Sequence, residues 1–329
     1  MDLDARLTVL GSLNMDISVT VPALPGPGAT VLGGPAAFAP GGKGANQAVA
    51  AARLGAEANV AVRMVGCVGD DDFGRTLRAT LTREGIDDRA VRTVPGAPTG
   101  IAMITVDESG ENMITVAPGA NHQVGEPELA ALSESADPAR VLVISAEVPV
   151  PVILAALGAG SAEPPAGAKP LTVLNLAPAP PREVAAGILK ARPDWLVVNE
   201  SEAAAVLGRP VGGLAGAARA ATDLVAAGAR NAVVTAGPAG AAYRSDEHAL
   251  SRTVAAFPVR AVDTVGAGDT FVGALAVALA GGIASGEAVT AAAAAGATAA
   301  ARRGTQPGMP RPGDIRAMTG FAWPLDVAK

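Results

Sequence analysis

Cysteine, histidine and clustered positive charge are scarce in this chain of 329 residues, and each shortage removes a class of protein. A single cysteine, Cys67, excludes a disulfide framework, and with only His122 and His248 beside it there are too few soft ligands for a structural zinc site. That usage fits a reducing cytoplasm. Lysines and arginines number 25 against 31 aspartates and glutamates, a net charge of −6 with no basic cluster, so nucleic acid is not an expected partner. The start, Met1-Asp2-Leu3-Asp4, is acidic where a signal peptide would be basic, and no apolar segment with a cleavage site follows. Between Thr270 and Ala301 only Glu287 is charged, but the stretch is mostly alanine and glycine and is broken at Gly281-Gly282. It reads as two buried helices joined by a turn, not a membrane span.

What is abundant points to a packed α/β protein. Half of the residues (50%) are hydrophobic and 17% are charged, which excludes general disorder. Short apolar runs recur at Leu7–Leu10, Val60–Val62, Val141–Ile144, Leu171–Leu174, Trp195–Val198 and Ala232–Thr235. Between them lie helix-length segments such as Ala45–Leu54, Gly74–Glu84, Arg182–Ala191 and Gly213–Ala227. Continuous apolar strands alternating with helices predict a doubly wound, mostly parallel sheet with helices on both faces. Gly158–Pro170, rich in Pro, Gly and Ala, reads as a surface loop.

Two segments depart from that rhythm. Ile17–Val21 and Thr30–Gly34, separated by Pro22–Gly28, read as short strands joined by a turn, and Ile101–Val106 with Asn112–Val116 reads as a hairpin around Asp107–Glu111. Lacking crossover helices, these strands predict a small separate β-sheet, a discontinuous lid over approximately 15–40 and 98–117, inserted into the α/β core.

The strongest chemical signal is Asp263-Thr-Val265-Gly266-Ala267-Gly268-Asp269-Thr-Phe271, which runs straight into the apolar helical stretch Val272–Ala280. Glycines at a helix start let backbone N–H groups face outward, where the helix dipole also favours an anion. Asp269, in the first turn beside those amides, is placed to take a proton from a hydroxyl attacking a phosphorus held there; a capping carboxylate is the plainer reading. No Gly-x-x-x-x-Gly-Lys-Ser/Thr occurs, and Gly266-x-Gly268 lacks the third glycine of a dinucleotide fingerprint.

A second signal, Pro40-Gly41-Gly42-Lys43-Gly44-Ala45-Asn46-Gln47, opens a helical segment that Gly55 stops. Its glycines allow close approach of a ligand while Lys43 and Asn46 bring donors and an acceptor to one helix N-terminus, which suits a polyhydroxylated molecule better than a plain turn. Asn14 and Asp16 share one side of an extended segment and can grip neighbouring hydroxyls, although an Asx turn explains them equally well. Asn199-Glu200-Ser201-Glu202 follows the strand Leu196–Val198; it can serve phosphate and water-held Mg²⁺, but on local sequence helix capping is the better reading. Thr235-Ala236-Gly237-Pro238-Ala239-Gly240 has the small side chains of a backbone-lined nucleotide site or of an ordinary turn. Trp195, His122, His248 and Cys67 stand alone and read as filler.

In this order the motifs resemble the ribokinase-like (PfkB) sugar kinase family across nearly the whole chain, carried chiefly by GGKGANQAVAAARLG at 41–55 and DTVGAGDTF at 263–271. The resemblance implies one domain with a β lid, nucleotide and cation sites within 196–308, and ATP-dependent phosphorylation of D-ribose at its 5-hydroxyl, with Mg²⁺ and a monovalent activator such as K⁺. By motif, Asn14, Asp16, Gly42, Lys43, Asn46 and Glu147 would hold the sugar, and Asp269 would be the base. Gly266, Ala267 and Gly268 would form the anion hole, Asn199 and Glu202 would serve phosphate and Mg²⁺, and Thr235 to Gly240 with Gly268 would meet the nucleotide. The cation would sit on Asp263 and the carbonyls of Val265, Ala299, Arg302 and Gly304. Gly308 stands where a serine hydroxyl is common in the family, Ala293 where a His or Asn often lies near adenine, and Ala29 where a glutamate is often seen. The family also implies a homodimer paired through the lid strands. Nucleoside, fructose or deoxyribose kinase activity is the alternative within this family, and a catalytically idle sugar or nucleotide sensor the alternative outside it.

Overall fold

In the computed structural model the described residues are 5–133, 139–158 and 169–325. Met1–Asp4 and most of the Gly158–Pro170 segment therefore lie outside them. The chain runs β1 (Ala5–Leu10), β2 (Asn14–Val21), β3 (Ala37–Gly41), α1 (Lys43–Gly55), β4 (Val60–Gly69), α2 (Asp72–Arg83), β5 (Asp87–Val94), β6 (Gly100–Asp107), β7 (Asn112–Ala117) and α3 (Glu126–Ser133). It continues with β8 (Val141–Ser145), α4 (Val150–Ala156), β9 (Leu171–Asn175), α5 (Arg182–Lys190), β10 (Trp195–Asn199), α6 (Glu200–Leu207), α7 (Gly213–Ala226), β11 (Asn231–Thr235), β12 (Gly240–Arg244) and β13 (Arg252–Ala255). Helices α8 (Ala267–Ala280), α9 (Ser285–Ala300), α10 (Thr305–Gly308) and α11 (Pro312–Thr319) complete it.

Nine strands form one sheet in the order β13-β12-β11-β10-β9-β8-β1-β4-β5. All neighbours from β11 to β5 pair in parallel, and β12 and β13 add an antiparallel edge. Alternation along each strand splits the core in two. Val9, Val143, Val173, Val197 and Val233 face the layer made by α1, α2, α8 and α9, while Leu10, Ile144, Leu174, Val198 and Val234 face α4 to α7. With both faces covered, apolar residues are required at consecutive positions, which is why these strands read as unbroken hydrophobic runs. Helices α8 and α9 pack on each other within the first layer, as the turn at Gly281-Gly282 implied, and among the described residues no helix is long and apolar enough to cross a membrane.

Alanine and glycine let the helices over this sheet approach closely. At Gly273 of α8 a Cβ would stand 2.7 Å from the Gln47 carbonyl oxygen and 2.8 Å from Ala50 Cβ on α1. The first turns of α1 and α8 are thereby brought side by side. Beneath α1, the end of β1 is equally tight: a Cβ on Gly44 would lie 2.6 Å from the Gly11 carbonyl carbon.

Four strands form the second sheet, in the order β3-β2-β6-β7, with β2 and β6 parallel and the outer pairs antiparallel. One expectation fails here. Thr30–Gly34 is not a strand; the partner of β2 is β3, seven residues further on, through pairs such as Asp16 with Ala39 and Ile17 with Phe38. The apolar Val31-Leu32 that suggested a strand has nothing to pack on, Leu32 being 91% exposed, and without a buried face a two-glycine segment gains too little to stay extended.

Candidate active site

The site lies at the carboxyl ends of the strands, where the chain order reverses between β1 and β8, the usual place for a ligand on an open α/β sheet. At its centre is Asp269, 8% exposed in the first turn of α8. Both carboxylate oxygens accept side-chain amides from α1: Asn46 Nδ2 donates to Oδ2 at 2.9 Å and Gln47 Nε2 to Oδ1 at 3.1 Å. Asn46 Oδ1 in turn accepts from Gln306 Nε2 at 3.1 Å, and Gln47 Nε2 also donates to Asn175 Oδ1 at 2.9 Å. A capping role does not describe this carboxylate, which is held by side chains from another helix.

The residues expected to hold a sugar converge on it. Asn14 is buried at the start of β2 with its Oδ1 accepting from Asn121 Nδ2 at 2.8 Å. Asp16, two residues on along the same face, lies over Gly41, where a Cβ would overlap the carboxylate. Gly42 takes φ 87° to turn the chain into α1, a conformation that favours glycine. Glu147, just beyond β8, accepts from Ser12 Oγ at 2.5 Å and from the Lys43 backbone N–H at 3.3 Å. Burial, with the charges of Glu147 and Asp269 adding to it, pushes the Asp16 carboxyl up to about 7. Burial by itself would lower the Lys43 ammonium, but Asp269, Glu147, Glu202 and Asp16 around it outweigh that and hold it above its ordinary value. One buried cation thus serves a ring of carboxylates.

On the far side of Asp269 opens a cavity of about 660 Å³. Thr235, Gly237, Pro238 and Gly240 line it as expected, together with Ala267, Gly268 and Ala293. Ala236 and Ala239 do not line it: Ala236 packs in the core, 2% exposed, and both are tied into the turn by backbone bonds. Gly266 adopts φ 79° against Thr305, whose Cγ2 would sit 2.6 Å from a Cβ there. The Ala267 N–H is already donated to the Thr264 carbonyl at 3.3 Å, whereas those of Gly268 and Asp269 lie in the first turn, where a helix supplies no acceptor of its own. Space around Gly268 is open, with no atom within 4 Å of a Cβ position. A larger, shallower hollow of about 730 Å³ beside Lys190, Arg192 and Arg230 lies at the opposite ends of β10 and β11 and has no part in this arrangement.

Asn199 and Glu202 are where capping predicted them. Asn199 Oδ1 accepts from the Glu202 N–H and Glu202 Oε2 accepts from the Asn199 N–H, both at 2.8 Å, a reciprocal capping box on α6. Glu202 nevertheless faces Lys43 and Asp269, and burial raises its carboxyl above the usual range. Its second oxygen is the one group here suited to water-held Mg²⁺, and among the described residues no cluster of three or more His, Cys, Asp or Glu forms a metal cage. Asp263 caps two backbones, accepting from Val265 N at 3.0 Å and Gly304 N at 2.9 Å. The carbonyls of Ala299, Arg302 and Arg303 all point at Gly308, at 3.4 to 3.6 Å from where its Cβ would stand. These hard oxygen donors fit a hard monovalent cation.

Sequence reasoning missed the second tier. Ser12, Gln47, Asn121, Asn175 and Gln306 are all buried and fix the residues above, yet none was assigned a role. The available signal was an uncharged amide at the end of an apolar run, as at Asn175 after Leu171–Leu174. The apolar cavity wall Ala256–Val259 had no signal at all.

The pfkB family carbohydrate kinase profile matches residues 4–312. Ribokinase of Schizosaccharomyces pombe is 37% identical over 84% of this chain and 86% of its own, and ribokinase of Haemophilus influenzae 35% identical over 92% and 95%. The solved structure of Arabidopsis thaliana ribokinase complexed with ribose and ATP is similar with a TM-score of 0.82 at 27% identity, covering 97% of this chain and 99% of that one. The chain belongs to the PfkB family of carbohydrate kinases.

Proposed function

We propose that this PfkB-family chain transfers the γ-phosphoryl group of ATP to the 5-hydroxyl of D-ribose. The observation that carries the reading is the position of Asp269. Its carboxylate lies between the polar cluster of Asn14, Asp16, Lys43 and Glu147 and the open helix start at Gly268, which faces the cavity. A hydroxyl held on the polar side attacks the γ-phosphorus; the new O–P bond forms as the bond to the departing ADP oxygen breaks, and the hydroxyl proton passes to Asp269. Asn14, Asp16, Gly42, Lys43, Asn46 and Glu147 orient the sugar, and the first-turn N–H groups of Gly268 and Asp269 receive charge developing on the transferring group, the Ala267 N–H being held by the Thr264 carbonyl. Glu202 would hold Mg²⁺ through water, and Asp263 with the carbonyls of Val265, Ala299, Arg302 and Gly304 a monovalent cation; bound there, the two supply charge neutralisation and a rigid anion hole.

Ribose is favoured over a nucleoside by the small sheet, which we read as a lid excluding water. Its one aromatic residue, Phe38, pairs with Ile17 and so lies on the face opposite Asp16, its ring 6.2 Å from that of Phe73. No ring is left to stack a base. That outer face also exposes Phe38, Met103 and Met113, an apolar surface that a second copy would cover in a homodimer. The relatives named ribokinase, and the ribose and ATP bound in the Arabidopsis enzyme, support the same substrates. The test is ADP release from Mg-ATP with ribose, deoxyribose, fructose, adenosine and pseudouridine, in K⁺ and then in Na⁺. Turnover fastest with ribose and raised by K⁺ is expected; a preference for another acceptor overturns the substrate, and silence throughout favours a sensor.

A further inference from the structure

Gln47 is fully buried, yet its Oε1 has no hydrogen-bond partner. Such an orphan acceptor costs stability, so its amide nitrogen needs a purpose. The orientation of that amide is dictated from a distance. Asn175 Nδ2 donates to the Val197 carbonyl at 3.1 Å, and because a backbone carbonyl only accepts, Asn175 must turn its Oδ1 towards Gln47. Gln47 therefore meets that oxygen with Nε2, and the second hydrogen of the same nitrogen reaches Asp269 Oδ1. Reversing the amide would set an oxygen against two acceptors. On the other side a parallel relay, Gln306 to Asn46 to Asp269 Oδ2, has the same polarity.

Resting on the proposed kinase reading, we infer that Gln47 is a positioning residue for the reaction: held by Asn175, it donates to Asp269 and keeps the carboxylate in one rotamer facing the sugar hydroxyl. Gln47 itself is too deeply packed to touch substrate, with Gly273 of α8 lying against its own backbone carbonyl. The charges facing Asp269 are mixed, Lys43 from α1 against Asp16 from β2 and Glu202 from α6, so its rotamer is set by directed hydrogen bonds and not by a single ion pair. Asn46 can spare one N–H for a sugar hydroxyl, whereas both hydrogens of Gln47 Nε2 are committed to the scaffold.

Gln47→Met keeps the volume and removes both donors; Gln47→Glu keeps the shape and can donate only when protonated. For the first we expect kcat to fall about tenfold or more, the loss of one hydrogen bond to a charged group, with KM for ribose nearly unchanged. For the second, activity relative to the unmodified enzyme should rise as pH falls. Wild-type kcat in the methionine variant, or a glutamate variant whose deficit is the same at every pH, would overturn the inference. Should the methionine variant not fold, the glutamate variant decides by its pH dependence alone. If the unmodified protein phosphorylates no sugar, the kinase reading fails instead, and the two failures are thus told apart.

Discussion

On the function proposed here, the two halves of the site would recognise their ligands by opposite means. On the sugar side the buried Asn14 and Asn121 are bonded to each other, and the buried Asn46 and Gln47 to Asp269. On the nucleotide side the 660 Å³ cavity is walled by alanines, glycines and Phe257 and Phe271, with Thr235 and Thr264 its only hydroxyl-bearing side chains. Polar side chains locked in a network discriminate strongly, because any mismatch strands a buried donor or acceptor; a wall of small apolar groups discriminates by shape, and each contact contributes little. Single substitutions should therefore be severe on one side and mild on the other.

The largest effect is expected at the junction. Asp269→Asn keeps the shape of the side chain but turns one acceptor into a donor facing the Asn46 or Gln47 amide and cannot accept the proton, so kcat should fall by about 10³-fold, within the range attributed to a general base. Ribose binding measured by calorimetry should persist. Turnover near the wild-type level would remove Asp269 from its role.

Next in size is a pH effect on the sugar side alone. With its carboxyl pushed up to about 7, Asp16 is largely protonated in the empty site below that pH. The raised value means that the proton is lost as pH rises through about 7, and a sugar whose hydroxyls need a carboxylate must first displace it on the acid side. The apparent affinity for ribose should thus weaken by up to about tenfold for each pH unit below 7, while that for ATP does not follow. Asp16→Asn should bind ribose weakly at every pH; a variant that keeps the wild-type pH dependence would show that another group titrates.

The same contrast explains how much could be read in advance. The parallel sheet was legible because strands covered on both faces must be apolar throughout, as Val141–Ile144 and Trp195–Val198 are. Lys43 and Asn46 stood out as a polar pair beside glycines at a helix start, whereas Asn14, Asp16 and Asp269 had equal or plainer structural readings until the motifs were taken in order. Thr30–Gly34 misled because exposed and buried apolar pairs look alike in one dimension, and the Ala256–Val259 part of the cavity wall was invisible because a short apolar stretch outside helices and strands carries neither period nor motif. Gln47 and Gln306 needed the fold, since only the approach of α1 to α8 and α10 gives their amides something to hold.

A smaller effect should appear at the cation loop. Gly308 needs no positive φ, and a Cβ there would meet the Ala299, Arg302 and Arg303 carbonyls at ordinary contact distance. Gly308→Ser should fit without strain and add a further oxygen, lowering the K⁺ concentration for half-maximal activation about threefold, on the order of 0.6 kcal/mol. The thermal midpoint should rise more in KCl than in tetramethylammonium chloride. An unchanged K⁺ response would mean that these carbonyls do not converge on the cation.

The smallest effect is expected on the cavity wall. Thr235 Oγ1 lies 3.5 Å from the Val198 carbonyl, the limit of a hydrogen bond, so its hydroxyl is weakly committed and its methyl group is what the wall uses. Thr235→Val preserves that surface, and KM for ATP should change by less than about twofold, with KM for ribose unmoved. A tenfold loss would show that the nucleotide is read by a hydroxyl after all, and the division between a side-chain-coded sugar site and a shape-coded nucleotide site would then fail at the position where the wall is most polar.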